Sequence, residues 1–295
     1  MRRLIVNADD FGLTPGVNRA IIELHAAGLV TSTSLMARAG ATDDAIELAR
    51  ATPSLGVGCH VLLVDGQPVL PPEKVPSLVD ARTGYFPNSL TTFLLRLFTG
   101  RIRTSEIEAE AAAQISLLQQ RGVRLTHIDT HKHAHIFSAV LRPLLRAARA
   151  AGIRAVRHPF EPEWAVRAAF GAPLARVVQI AALRPLAPRS NRILAQEGFT
   201  TTDGTIAVAG TGTLDAAALR SLLEQLPAGT WELVTHPGYN DADLARVRTR
   251  LHESREVERV ALAVVPEVHG IELISFAELE ISAQTVPLRT HSPTG

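Results

Sequence analysis

The sequence predicts an α/β protein, a (β/α) barrel of TIM-like type with seven to eight strands and some irregularity, on three observations. Short apolar runs alternate with helical patterns along nearly the whole chain, the sign of parallel βα units. No Gly-rich fingerprint follows the first run, which speaks against the alternative, an open doubly wound sheet that binds a dinucleotide. Polar residues of catalytic type stand at the carboxyl ends of several runs, the ends that a barrel gathers on one face.

Residues 4–8 are a buried strand running into a tight turn at Asp9-Asp10-Phe11-Gly12. Pro15 and Gly16 open a helix with Val17, Ile21, Leu24 and Leu29 on one face and Gly28 as its stop. Residues 31–37 form the second strand, and Thr42, before Asp43 and Asp44, caps a helix through Ala51. The third strand, residues 55–63, is apolar except for His60. Residues 64–90 are rich in Pro, Gly and Asp without periodicity, a loop of the length usual for a lid or insertion that contacts substrate. Ser105 and Glu108 make a capping box for a helix to Gln120 that Gly122 ends.

Residues 124–129 are a strand leading into a histidine-rich segment, followed by a helix over 138–151 and a strand over 153–157. Pro173, Pro185 and Pro188 break any long helix between residues 162 and 199. A strand at 205–209, a helix at 214–226, a strand at 231–235 ending in His236-Pro-Gly238, a charge-laced helix at 243–264 and a strand at 270–276 complete the series. One domain is expected over residues 1–282, and the patternless residues 283–295 are expected to be a loosely held tail.

With 46% hydrophobic and 20% charged residues, the chain can bury one large core. Thirty basic against twenty-nine acidic residues leave a net charge of +1, which provides no field for nucleic acid. Only Lys74 and Lys132 are lysines, a bias toward Arg that also suits bidentate anion recognition. Cys59 is the sole cysteine, so no intramolecular disulfide forms and a reducing, cytoplasmic location is expected. The apolar run before Asp9 is too short for a secretory signal, and no run approaches a membrane span.

The segment Thr126-His-Ile-Asp-Thr-His-Lys-His-Ala-His135 holds four of the eleven histidines, His127, His131, His133 and His135, together with Asp129. Such density suits a metal site or proton transfer, and equally a polar loop, unless other segments bring complementary groups. Other segments do. Asp9 and Asp10 follow the first strand, His60 lies late in the third, His131 follows the fourth, Arg157 and His158 end the fifth, and His236 ends a late one. An Asp, His, His set leaves positions open for water and substrate. Adjacent carboxylates divide labour, one holding the ion and the other taking a proton, and His236 is placed to protonate a leaving group. Singly, each has a plainer role: His60 as a core histidine, Asp9 and Asp10 as turn residues, Arg157 as an ion-pair partner, His236 as turn chemistry. His25, His252, His269 and His291 fall in helical or terminal segments and carry no functional reading. Cys59 is expected to face away from His60.

Asn7-Ala-Asp-Asp-Phe-Gly12, Gly28-Leu-Val-Thr-Ser-Thr-Ser-Leu-Met36, Gly56-Val-Gly-Cys-His60, Thr126-His-Ile-Asp-Thr-His131 and His236-Pro-Gly238 occur in the order seen in one family. Over residues 4–276 the chain resembles the YdjC-like carbohydrate deacetylases, which include chitooligosaccharide deacetylase and the hopanoid-associated deacetylases, least so at 162–213. The resemblance implies a (β/α) barrel and a hydrolase that removes the acetyl group of an N-acetylglucosamine-type carbohydrate or glycolipid, releasing acetate. It implies Asp10, His60 and His131 as ligands of one divalent metal ion, Asp9 as general base, and His236 as the acid that protonates the departing nitrogen. Arg157 would orient Asp9 or contact substrate.

Two imidazoles suit zinc, nickel or cobalt, and one carboxylate with open positions keeps magnesium in the set. Asp129 is expected to orient a ligand, His127 to lie within its strand, and His133 and His135 to wall the cleft. The family usually carries a larger apolar residue where Cys59 stands, and the loop with Gly66-Gln-Pro-Val-Leu-Pro-Pro72 is closer to the hopanoid-associated branch. The expected partner is a small acetylated amino sugar, free or lipid-linked, and a homo-oligomer is compatible with the chain. Two readings compete: another metallohydrolase on the same barrel, a phosphoesterase or deaminase, and a non-catalytic metal- or sugar-binding protein. The latter leaves Asp9 without a task.

Overall fold

The strand β1 (Arg2–Phe11) is central, and all its residues except Arg2 and Arg3 are buried, as a strand with neighbours on both edges and helices behind it must be. The computed structural model describes residues 1–169 and 171–279; the tail expected at 283–295 lies outside them. Seven further strands follow: β2 (Ser32–Leu35), β3 (Gly56–Val61), β4 (Leu125–Thr130), β5 (Ala155–Val156), β6 (Gly204–Ile206), β7 (Gly229–Thr235) and β8 (Ile271–Leu273). All pairing is parallel, in the order β5-β4-β3-β2-β1-β7-β6. β8 pairs with Arg2, Arg3 and Leu4 of β1, below the stretch from Asn7 to Phe11 that pairs with β2.

Ten helices connect them among the described residues: α1 (Pro15–Ala26), α2 (Thr42–Ala51), α3 (Leu90–Phe98), α4 (Thr104–Gln120), α5 (Ser138–Ala150), α6 (Glu163–Ala168), α7 (Leu174–Leu183), α8 (Ala187–Glu197), α9 (Ala216–Glu224) and α10 (Glu253–Ala261). None is long and apolar enough to cross a membrane. The sheet is curled, but its regular ladder stops at β5 on one edge and β6 on the other. One isolated bridge, Ala155 with Thr200, and a hydrogen bond from the Thr205 N–H to the Phe160 carbonyl (3.2 Å) span the gap. Among the described residues the ladder therefore does not close into a full barrel, and the irregularity expected from the sequence falls between β5 and β6. Pro159, just past Arg157, has no N–H with which to extend β5, and three helices separate β5 from β6.

Period-two alternation sorts the two faces of the sheet. Leu4, Val6 and Ala8 of β1, Cys59 and Val61 of β3, Ile128 of β4 and Leu233 of β7 join the main apolar cluster beneath the helices. Each such Leu or Val contributes ~1.5–3 kcal/mol on burial. Cys59 thus packs opposite His60. The inner face is polar: Asn7, Asp9, Ser34, His60, His127, Asp129, Arg157 and Glu232 are all buried. Ile5 and Ala155, one alternation below Asn7 and Arg157, join Ile274, Phe276 and Leu279 in a small separate apolar cluster.

Several boundaries differ from expectation. Thr42 is the first residue of α2 and caps nothing; its hydroxyl donates to the Met36 carbonyl (2.9 Å). Ser105 makes no cap either, since α4 starts at Thr104 and Glu108 accepts from Arg146 instead (2.7 Å). The helix expected over 243–264 is α10 alone, flanked by 3-10 turns at Leu244–Arg246 and at Leu262–Glu267, where Pro266 forbids continuation. The long loop after β3 is strapped to α4. Glu110 accepts from the Val69 and Leu70 N–H groups (2.7 and 3.1 Å), Gln114 accepts from the Leu62 N–H (2.9 Å), and Glu106 accepts from the Ser77 N–H and hydroxyl (both 2.7 Å).

Candidate active site

The carboxyl end of β1 carries Asp9 and Asp10, and strand alternation would send them to opposite faces. The pairing register of β1 with β2 shifts between Ala8 and Phe11, and Asp10 takes a left-handed φ of 67°, a conformation aspartate tolerates better than most residues. Both carboxylates consequently serve one site. Gly12 (φ 96°) completes the turn, its N–H donating to the Asn18 side-chain carbonyl (2.6 Å).

Asp10, His60 and His131 converge. Asp10 Oδ1 lies 3.6 Å from His60 Nε2 and 3.3 Å from His131 Nδ1, and these two nitrogens are 3.2 Å apart. A coordination sphere with bonds of ~2.1 Å leaves adjacent donor atoms ~3.0–3.4 Å apart, so the triplet has the spacing of three ligands of one ion. Two details strengthen the fit. The buried Asp10 Oδ1 has no hydrogen-bond donor, although buried carboxylate oxygens are normally paired. His60 Nδ1 lies 2.9 Å from Asp129 Oδ1, which places the proton on Nδ1 and turns a lone pair at Nε2 toward the triplet. Asp9, His60 and Asp129 form a second group close enough to hold an ion, but a cation already stands between its carboxylates, the guanidinium of Arg157.

Arg157, fully buried, grips Asp9 with both terminal nitrogens (2.8 Å to Oδ2, 2.6 Å to Oδ1), reaches Asp129 Oδ2 at 2.5 Å and donates from Nε to Glu232 (2.8 Å). Burial alone would raise the Asp9 pKa, but the Arg157 guanidinium and His60 together outweigh it and hold the carboxyl below its ordinary value. Asp10 is likewise held well below its ordinary value: burial raises it, and Arg255 and His131 more than offset that. Glu232, the third carboxylate around a single guanidinium, is pushed up to about 7 by burial.

His236 lies beside this group, Nε2 3.9 Å from Asp9 Oδ2 and Nδ1 3.8 Å from Glu258 Oε2. Burial lowers its pKa, but Glu258 and the two aspartates reverse the sign and leave it raised. Glu258 also accepts from the His236 N–H (2.6 Å) and the Thr235 hydroxyl (3.1 Å). Beyond it, a Cβ on Gly238 would lie 3.1 Å from Arg255 Cδ, so this glycine makes room for the arginine whose Nη2 donates to Asp10 Oδ2 (2.5 Å).

All six residues singled out from the sequence, Asp9, Asp10, His60, His131, Arg157 and His236, therefore lie in one cluster. The remaining histidines divide. His127 is in β4 and stacks on Phe276 (centroids 3.9 Å apart, 17° between planes), and its ring fills the space that a side chain on Gly58 would need. His135, expected in the cleft wall, is instead fully buried between the Thr130 hydroxyl (2.7 Å) and the Arg157 carbonyl (3.3 Å). The backbone there explains the change, since Lys132 and His133 take left-handed φ values of 58° and 52° and fold the segment back over β4. His133 is half-buried, and His158 pairs with Asn191 (2.6 Å). Arg255 and Glu258 of α10, Glu232 of β7 and Asp65, which lies 3.8 Å from His131 Nε2, were not foreseen. The first two sit in a charge-laced helix whose pattern is that of a solvated one.

A family model described as YdjC-like protein matches residues 3–265. A carbohydrate deacetylase of Thermoanaerobacter pseudethanolicus is 33% identical over 89% of this chain and 91% of its own. A human carbohydrate deacetylase is 30% identical over 94% and 91%. Among solved structures, an Enterococcus faecalis V583 protein provisionally designated a cellobiose-phosphate cleavage protein superposes with a TM-score of 0.71 at 28% identity, over 94% of this chain and 98% of that one.

Proposed function

This chain belongs to the YdjC-like protein family, and from that premise we propose that it is a metal-dependent carbohydrate deacetylase, hydrolysing the N-acetyl group of an amino sugar to acetate and a free amine. The observation that carries the reading is that two devices stand together beside one donor triplet: Asp9 fixed by Arg157, and His236 backed by Glu258. The names of the relatives support the reaction class.

Asp10, His60 and His131 would hold a divalent ion, whose chemistry when bound is Lewis-acid polarisation of the acyl oxygen and acidification of water. Asp9 enters the reaction ionised and correctly aimed, because Arg157 occupies both its oxygens; it accepts the proton of the water that attacks the acyl carbon. His236 is the proton donor, since Glu258 and the two aspartates raise its pKa and favour the protonated ring. It donates that proton to the nitrogen as the C–N bond breaks, so the leaving group departs as an amine and not as an amide anion. Asp129 and Arg157 hold His60 and Asp9 in place through contacts that no substrate needs to break.

Incubation of the metal-loaded protein with a panel of N-acetylated amino sugars, free and lipid-linked, tests the reading by acetate release, with metal content measured on the same sample. Acetate from at least one member is expected. A fully metal-loaded protein that releases none, or that releases phosphate or ammonia from other substrates, would place it among other metallohydrolases.

A further inference from the structure

One helix lies outside the core. Eight of the ten residues of α7 are apolar, yet none is buried. Leu174 is 77% and Val178 59% exposed, and with the exposed Ala181, Ala182 and Pro185 they recur at helical spacing as one stripe. Arg176, the only charged residue of α7, turns away from it and donates to the Val208 carbonyl (3.4 Å). Val177, Ile180 and Leu183 are half-buried on the inward side, so α7 is apolar on both faces and leaves the outer stripe uncovered, where a surface helix ordinarily presents charge.

Charge decides what covers the stripe. Residues 164–196 contain five arginines (Arg167, Arg176, Arg184, Arg189 and Arg192) and no Asp or Glu. Arg189 and Arg192 of α8 are exposed and have no ion-pair partner among the described residues. A second copy docking through a two-fold axis would set these arginines against their own kind. Nucleic acid would satisfy the arginines but not the apolar stripe. An anionic bilayer satisfies both, the stripe entering the headgroup boundary and the guanidinium groups meeting lipid phosphates.

The apolar surface continues beyond α7. A cavity of about 230 Å³ lined by Phe98, Ile136, Phe137, Leu186 and Arg189 joins the start of α8 to α3, where Leu95 and Phe98 are 64% and 66% exposed. Ile136 closes the 3-10 segment that begins with His131. We propose that the exposed face of α7, flanked by the arginines of α8, is a peripheral docking surface for anionic membrane lipid.

Co-sedimentation of the full chain with vesicles of phosphatidylglycerol and phosphatidylcholine, against phosphatidylcholine alone, tests the proposal. The protein should partition onto the anionic vesicles only, with partition falling as salt rises. Arg189→Gln and Arg192→Gln should each weaken it about fivefold, and the pair Leu174→Asp and Val178→Asp should abolish it. All four positions are exposed, so circular dichroism and melting temperature should stay at wild-type values and separate lost docking from lost fold. Equal partition onto both vesicle types, no partition onto either, or partition unchanged by the Asp pair would overturn the proposal. A concentration-dependent dimer that Leu174→Asp dissolves would also overturn it, in favour of self-association.

Discussion

Asp9 and Asp10 are chemically identical neighbours in different surroundings, because each meets a different arginine. Asp9 gives both oxygens to Arg157, whereas Asp10 gives Oδ2 to Arg255 and keeps Oδ1 free of donors. Asp9→Asn should therefore keep bound metal while kcat falls by ~10²–10⁴, and His131→Ala should lose the metal itself; turnover and elemental analysis of the two purified variants separate the roles. The pH profile follows from the same contacts. Asp9 sits below its ordinary 3.8 and must be ionised, while His236 sits above its ordinary 6.5 and must be protonated. The plateau of kcat/KM should lie between, with the alkaline limb above pH 6.5. Glu258→Gln removes the charge that raises His236 and should draw that limb to lower pH, a shift that a merely structural substitution would not produce.

At the scale of elements, α4 acts as the clamp of the loop after β3. Glu110→Ala would leave the half-buried Val69 and Leu70 N–H groups without their carboxylate partner and should cost ~1 kcal/mol in urea unfolding. The strands were legible in the sequence because the outer, apolar face of each packs under helices, and the inner face shows up as single polar interruptions such as His60 in β3 and Asp129 in β4. His60 is one such interruption, and Asp9, Asp10, His131, Arg157 and His236 stand at strand ends, which is why all six could be singled out and are found in one cluster. The helical ends were less legible, because Thr42 and Ser105 have cap chemistry but spend it elsewhere or not at all. Arg255 and Glu258 escaped notice for a different reason: charged residues three apart on a helix look the same whether they face water or, as here, a buried aspartate and a buried histidine. The loop over residues 64–90, expected as a lid or insertion, is strapped to α4 by anchors that were not legible because they lie on a helix with its own apolar pattern.

At the scale of the whole molecule, Glu232 makes its own part of the stability fall as pH rises, against the opposite trend set by the lowered Asp9, Asp10 and Glu258. Glu232 has a folded pKa of about 7, above its ordinary 4.5, so its contribution is fully present below pH 4.5 and is lost as pH rises through 7. A hydrogen-bonding conflict agrees with a protonated Glu232: the one hydroxyl hydrogen of Thr205 faces both the His158 carbonyl (2.5 Å) and Glu232 (3.2 Å), and a proton on the carboxyl resolves it. Glu232→Gln should accordingly be more stable than wild type at pH 8, by about 2 kcal/mol, with the gain vanishing by pH 4 in paired urea melts. The pairing of β8 with the lower half of β1 has a consequence in time. Residues 2–4 must wait for residues 271–273 to gain a neighbour on that side, and contacts of such long sequence separation form late. The chain leaving the ribosome thus carries a central strand open to wrong partners on that side until residues 271–273 emerge.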